Sequence, residues 1–321
     1  MAELIGYLLA LNAIITWGLA SLVYKFGLGK TEAKANLFFR LVIVSFATFI
    51  FSLFFGDYLF LTNLNNQDLL WYLLMCILSG VSVTIGDLLY FFALKKIDAS
   101  RAYPLTQLSL VFVYPLAFIF FQEQITSSIL IGGLLILSSV FFLSKKDKPK
   151  ESAFYEVNEN QKKEKDEEDE IISRELLLGV IMAVATAFFW ALAIVSFNQA
   201  RIYSNEVFTT NFIRVLFGMI MIGILGLFDH DFFLGFKKQN RKNLKYFLYI
   251  GIAGSLSLGL ADSFFYKAAE INGLVLTSTI TANTPMVQQI FSLTLLKEKF
   301  RKRFVVAIAL IIVGNYIILF L

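Results

Sequence analysis

The chain is written as long apolar runs separated by short polar ones. From the amino end, apolar stretches cover Leu4–Tyr24, Ala35–Phe55, Leu69–Leu94, Ala102–Phe121 and Ser127–Leu143. A second series covers Leu176–Phe197, Phe208–Phe228, Tyr246–Tyr266, Leu274–Leu296 and Phe304–Leu321. Most are close to the roughly 20 residues that a helix needs to cross a bilayer. The pattern predicts an all-α integral membrane protein with ten transmembrane helices. The first stretch lacks a basic n-region and leads directly into further spans, so it reads as a retained helix and not as a signal peptide.

The two series are separated by "KKDKPKESAFYEVNENQKKEKDEEDEIISRE". A Lys/Glu-rich stretch with so few apolar residues cannot bury enough surface to fold. It predicts a charged flexible tether, residues 145–173, between a first five-helix unit, 1–144, and a second, 174–321.

The two units match each other. A shift of 175 residues places Asp87 on Asp262, Glu123 on Glu298, Ala93 on Ala268 and Thr106 on Thr281. Small residues align too, Cys76 with Gly251, Ser79 with Gly254, Gly80 with Ser255 and Thr84 with Gly259. Near the start the shift relaxes by a residue or two, and Trp17 meets Trp190 and Arg40 meets Arg214. A unit of five spans sends its successor into the membrane from the opposite side. The expectation is two inverted five-helix repeats, an arrangement common among secondary transporters.

Composition narrows the class. Of 321 residues 58% are hydrophobic, Phe occurs 35 times and Pro 4 times; the mean hydropathy is +0.71. A soluble domain of this size is excluded. Cys76 is the only cysteine, so neither an intramolecular disulfide nor a cysteine metal site can form. The single histidine, His230, lies in a polar loop. No metal ligand set, cofactor or nucleic-acid partner is expected.

Charge sets the orientation. Arg40 and Arg214 lie inside spans, and Arg201 and Lys267 lie on one side; the other 24 of the 28 Lys and Arg fall in the loops that share the opposite side. Positive residues stay in the cytoplasm. The tether, "FKKQNRKNLK" and "KEKFRKR" therefore face inward, and both termini face outward, in the cell membrane.

Two tracts carry a family likeness. They are "GDLLYFFALKKIDASRAYPLTQLSLVFVYPLAFIFFQEQIT" and "LADSFFYKAAEINGLVLTSTITANTPMVQQIFSLTLLKEKF". Each resembles the EamA-type transporters of the drug/metabolite transporter superfamily. That family has an alanine-centred motif ending a third helix, a polar turn, a proline-bearing fourth helix and a glutamate before the fifth. Ala93, Pro115 and Glu123 fit in the first half; Ala268, Pro285 and Glu298 fit in the second. Trp17 and Trp190 resemble the family's first-helix tryptophan, and Arg40 and Arg214 its second-helix arginine. The resemblance covers everything but the tether. It implies ten helices, two inverted repeats and movement of small metabolites, often outward. Two departures stand out. The usual Gly-Glu is Gln122-Glu123 in one half and Lys297-Glu298 in the other. The charge bias also gives termini opposite to those of many members.

The chemistry to be explained is the pair of aspartates in apolar runs. A carboxylate deep in a bilayer costs several kcal/mol unless it is paired, hydrated or protonated. Asp87 can share a depth with Arg40, and Asp262 with Arg214. Two readings follow: ion pairs that fasten helix 2 to 3 and 7 to 8, or cavity groups that bind substrate or carry a proton. The prolines Pro115 and Pro285 are expected to interrupt helices 4 and 9 beside the cavity. Gln107, Asn283, Gln288 and Gln289 form a candidate polar lining, with Trp17, Trp190, Tyr90, Tyr103 and Tyr266 as candidate aromatic walls.

A membrane-embedded enzyme is the rival class, but the chain has no G-x-S-x-G and no His-rich set. Asp229-His230-Asp231 is the nearest thing to a catalytic triplet and reads as a solvated turn. A carrier of sugar nucleotides or phosphorylated metabolites would call for several unpaired cavity cations. The expected function is a secondary active transporter of small polar metabolites, an exporter of amino acids or related compounds, working by alternating access. Its expected partners are the lipid bilayer, a small-molecule substrate, protons as the first guess for a coupling ion, and a second copy in a homodimer. The orientation is tested by cysteine labelling in a Cys76→Ser background. Ala2→Cys should react with membrane-impermeant maleimide in intact cells and Ser152→Cys should not; the reverse pattern sinks the assignment.

Overall fold

The structure, a computed structural model, describes residues 2–144, 159–237, 242–295 and 302–320. Helix accounts for 90% of it, with no strand among the described residues. In chain order the helices are α1 (Ala2–Leu28), α2 (Ala33–Phe55), the one-turn α3 (Phe60–Asn63), α4 (Asn66–Lys96), α5 (Ala99–Thr106), α6 (Ser109–Phe121) and α7 (Ser127–Ser144). Then come α8 (Glu159–Ser204), α9 (Phe208–Phe228), a 3-10 turn (His230–Phe236), α10 (Leu244–Gly254), a π-helical stretch (Ser255–Ala261) and α11 (Asp262–Asn272). The last are α12 (Leu274–Thr281), α13 (Thr284–Leu295) and α14 (Lys302–Phe320).

Among the described residues seven segments are helical, long and apolar enough to cross a membrane: Glu3–Leu28, Ala33–Phe55, Asn66–Lys96, Ala99–Phe121, Arg174–Ser204, Phe208–Phe228 and Leu244–Asn272. Ser127–Ser139 and Val305–Phe320 are shorter apolar helices. The remaining predicted span, beginning at Leu274, is divided between α12 and α13. The protein is a multi-pass membrane protein, and it is polar inside and greasy outside. Phe54, Phe228 and Phe320 are more than 70% exposed, while Arg40, Arg214 and Asp87 are at most 5% exposed. In water that distribution would be inverted; in lipid it buries the groups that hydrocarbon cannot solvate.

Three expectations need correction. Helix 4 is broken at Gln107–Leu108, between α5 and α6, while Pro115 sits inside α6. The backbone there tightens to three-residue bonds, Gln107 N–H to Pro104 O and Leu108 N–H to Leu105 O. In helix 9 the break is at Ala282–Asn283, just before Pro285. Proline cannot donate to the carbonyl four residues back, and the Thr284 hydroxyl takes that place, donating to Thr281 O at 2.6 Å. The two breaks lie 175 residues apart, as do the eight-residue helices α5 and α12 that precede them. Second, α8 begins at Glu159, within the segment expected to be an unfolded tether. Glu159/Lys163, Lys162/Asp166 and Lys165/Asp169 stand four residues apart, a spacing that supports helix without any core. Residues 145–158 lie outside the described residues. Third, the stretch Tyr246–Tyr266, expected as one helix, is not α-helical throughout: Ser255–Ala261 is π-helical, and Ser255 and Gly259 lie within it.

Packing pairs α4 with α8, α1 with α10 and α11, α2 with α9, and α7 with α14. The closest approaches are backbone to backbone. A Cβ on Gly80 of α4 would strike the Arg214 carbonyl oxygen of α9, and one on Gly218 would strike Thr84 and Gly80 in return. Gly132 of α7 and Gly314 of α14 meet in the same way, each against the other's carbonyl oxygen. Small residues at such crossings let helices close where lipid offers no hydrophobic drive.

Glu123 links the end of α6 to the start of α12. Its carboxylate accepts from Leu274 N–H and Val275 N–H, both at 2.8 Å, capping α12 just past Gly273, whose φ of +85° ends α11. The matching Glu298 lies outside the described residues. The preceding Gln122 is left-handed, with φ +52°, and terminates α6. The chain turns there in a conformation suited to glycine, which explains the Gly-Glu of the resemblance.

Three outcomes follow for thermal unfolding of purified protein in detergent. Gly80→Val should lose about 1–3 kcal/mol or more from overpacking, whereas Gly223→Ala, where a Cβ meets only the Phe38 ring at 3.7 Å, should change little. Gln122→Gly should raise stability by about 1 kcal/mol by relieving the left-handed residue. An unchanged melt for Gly80→Val, or a lowered one for Gln122→Gly, contradicts the geometry.

Candidate functional site

Arg40 is the eighth residue of α2, and Asp87 stands nine residues before the end of α4. At 1.5 Å per residue both lie roughly 10–14 Å from their helix ends, and they form a buried salt bridge between Arg40 Nη2 and Asp87 Oδ2. Arg214, the seventh residue of α9, makes the same bridge from Nη2 to Asp262 Oδ2 on α11. Each carboxylate has a second donor from the other half of the chain. Trp190 of α8 donates its indole N–H to Asp87 Oδ1 at 3.1 Å, and Trp17 of α1 donates to Asp262 Oδ1 at 2.9 Å.

Each guanidinium lies between two rings. Tyr24 and Phe91 stand 5.2 and 5.0 Å from Arg40 Cζ; Phe197 and Tyr266 stand 4.8 and 5.2 Å from Arg214 Cζ. An arginine over ring faces is stabilised by the ring quadrupole, and more so when dehydrated. A buried pair is costly unless remaining donors and acceptors are filled, and the indoles and rings do much of that filling.

The π-helical stretch shapes the second pair. It frees carbonyls that an α-helix would have used. Asn211 of α9 binds Leu258 O at 3.0 Å and Gly259 O at 2.7 Å through Nδ2, and its Oδ1 accepts from Arg214 Nε at 2.8 Å. Arg214 Nη1 also reaches the Tyr266 hydroxyl at 3.1 Å. α4 has no such stretch and runs as one helix of 31 residues.

Both pairs line one cavity at the centre of the described helices, with about 930 Å³ of empty space including its mouth. Of the candidates named from sequence, Asp87, Asp262, Arg40, Arg214, Gln107, Trp17, Trp190, Tyr90 and Tyr266 are on its wall, and so is Tyr103. Asn283, Gln288 and Gln289 are not. Asn283 pairs with Asn315 of α14 through reciprocal amide bonds of 2.8 and 3.1 Å. Gln288 is wholly buried where α13 packs on Gly18 of α1, and neither amide atom has a hydrogen-bond partner. Gln289 is also buried. Residues missed from sequence are Tyr24, Ser21, Ser257 and Ser278 on the wall, and Phe91, Phe197 and Asn211 around the arginines. Tyr24 and Phe197 follow the tryptophans at the same spacing of seven residues, a signal that the alignment of Trp17 with Trp190 already contained.

The Asp229-His230-Asp231 triplet is a structural turn. Asp229 accepts from Asp231 N–H at 3.1 Å and from Lys34 at 2.6 Å. The hydrogen bond from Lys34 holds the Asp229 carboxyl below its usual range. Among the described residues no group of His, Cys, Asp and Glu could hold a metal ion.

A curated "Uncharacterized transporter" of Archaeoglobus fulgidus is 24% identical over 315 residues, 97% of each chain. An uncharacterized protein of Methanocaldococcus jannaschii is 30% identical over 135 residues, which is 41% of this chain and 96% of that one. A solved crystal structure superposes with a TM-score of 0.66 at 17% identity, covering 98% of this chain and 95% of the other; it shows the fold alone. The family model described as the EamA-like transporter family matches residues 4–145 and again residues 177–320. On that double match, which takes in both arginine–aspartate pairs, the chain belongs to the EamA-like transporter family.

Proposed function

We propose that the chain is a secondary active transporter that moves small polar metabolites, amino acids or related compounds, outward by alternating access. The observation that carries it is the central cavity walled by two arginine–aspartate pairs, each cross-linked by a tryptophan from the other half of the chain. A carrier needs a site shared by two halves that rock about it. Ten spans in two inverted five-helix repeats supply those halves, divided as 1–144 and 174–321. The family model's separate match to each half supports this reading, as do the half-length relative and the 175-residue offset of the helix breaks. So does the helix pairing, in which helix 3 meets 6 as helix 1 meets 8, while 2 meets 7 and 5 meets 10. Protons are the proposed coupling ion, and the tether faces the cytoplasm. The lining is mostly uncharged beyond the self-paired ions, which favours neutral or zwitterionic solutes over phosphorylated ones. Family membership points to a transporter rather than an enzyme.

Untargeted metabolite profiling of expressing and non-expressing cells identifies the solute, and flux into sealed proteoliposomes measures its transport. Asp87→Asn or Asp262→Asn alone leaves an arginine unpaired and should cost about 3–5 kcal/mol of stability. The doubles Arg40→Leu/Asp87→Leu and Arg214→Leu/Asp262→Leu should regain stability, and at least one should stay without flux or lose its dependence on a pH gradient. Full flux with unchanged pH dependence in both doubles would reduce the pairs to fasteners.

A further inference from the structure

Arg40 and Arg214 stand at matching places, yet Arg214 has more hydrogen-bond partners than Arg40. Arg214 spends its donors on four protein groups: Asn211 at 2.8 Å, the Tyr266 hydroxyl at 3.1 Å, the Ser79 hydroxyl at 3.5 Å, and Asp262. Around Arg40 each neutral partner is missing. Leu37 stands three residues before Arg40, where Asn211 stands three before Arg214. Phe91 takes the place of Tyr266, and Gly254 the place of Ser79. These correspondences are contacts as well as alignments. The Phe91 ring lies 5.0 Å from Arg40 Cζ, and a Cβ on Gly254 would run into the Arg40 side chain. Arg40 keeps Asp87 and the Tyr24 hydroxyl, which is itself bonded to Ser257 at 2.5 Å. Its Nε is buried without a hydrogen-bond partner.

A guanidinium carries five N–H donors in a fixed fork. Leaving a buried donor unfilled is costly, and Leu37 and Phe91 keep the neighbouring side chains from filling it. An unfilled charged donor on a residue of the cavity wall suits an anionic oxygen supplied from the cavity. Resting on the transporter reading above, we propose that Arg40 anchors the transported solute by its carboxylate, with the solute's apolar body against Val83, Val113, Ile194 and Leu258, while Arg214 serves as a fixed structural cation. All four apolar residues line the same cavity. A carboxylate fits better than a phosphate dianion. Arg40 is one cation, already shared with Asp87, and a dianion calls for several.

The test uses the intact chain carrying Trp71→Phe, which leaves Trp17 and Trp190, both on the cavity wall, as fluorescent reporters. The probes are isocaproate, isoamylamine and isoamyl phosphate, which share a branched apolar body. Isocaproate should titrate the fluorescence saturably, the amine should not, and the phosphate ester should bind at least about tenfold more weakly. Leu37→Asn with Phe91→Tyr gives Arg40 the partners of Arg214 without removing a charge, and should weaken isocaproate about tenfold, the value of a hydrogen bond to a charged group. Arg40→Lys keeps the charge beside Asp87 but loses the fork, and should weaken it similarly in protein whose melting temperature is retained. Unsaturable isocaproate, tighter binding of the amine or phosphate ester, or unchanged affinity in both variants overturns the assignment. Flux of the same probes into sealed proteoliposomes separates the two levels. Carried amines without acid binding sink the carboxylate anchor and leave the transporter standing. Saturable acid binding with the predicted variant effects, but no flux of any probe, supports the anchor and counts against transport.

Discussion

A charge inside a membrane protein must be answered by another group, because hydrocarbon offers no water to answer it. In this chain two arginines and two aspartates are buried at the centre, and the arrangement of the surrounding helices follows from satisfying them. Each aspartate takes one donor from an arginine on a neighbouring helix and one from an indole in the opposite half. Each arginine is then enclosed by two aromatic rings. The close pairing of α4 with α8, and of α1 with α11, brings those tryptophans within reach. The glycines at the α4–α9 crossing let α9 approach closely enough for Arg214 Nη1 to reach Ser79.

The same accounting extends to the backbone. Each interruption of a helix leaves polar groups that lipid cannot satisfy, and each is met locally. The Thr284 hydroxyl answers the carbonyl freed before Pro285, Asn211 answers two carbonyls of the π-helical stretch, and Glu123 answers the first N–H groups of α12. The breaks are thereby held where they border the cavity, at the level of Gln107 and Thr281.

Much of this was legible in sequence because it follows from length, hydropathy and repetition. The apolar runs marked the helices, and the aspartates announced arginine partners at similar depth. The tryptophans were visible as aligned residues, but their bonds cross between halves, and no local spacing encodes a contact between Trp17 and Asp262. In the first half the expected proline does not mark the helix break. Pro115 is accommodated inside α6, while the kink lies eight residues earlier, at Gln107. Of the four amides only Gln107 reached the cavity wall. Asn283 found Asn315 on α14, and Gln288 is buried where α13 packs on Gly18 of α1, since composition does not say toward which neighbour a side chain turns. The helical start of α8 was missed because a charge-rich segment unable to build a core can still make a good helix.

The unequal surroundings of the two arginines bear on how such a chain can evolve. A carrier assembled from two copies of one half-length polypeptide would carry a single gene's sequence at both places. A leucine in front of one arginine would oblige a leucine in front of the other. A fused chain is free of that obligation. Leu37 and Asn211 are separate positions of one chain, so the surroundings of one arginine can change while those of the other are kept. Fusion in this sense is a way of breaking symmetry, and the first sign of a broken symmetry is a polar residue that has no counterpart.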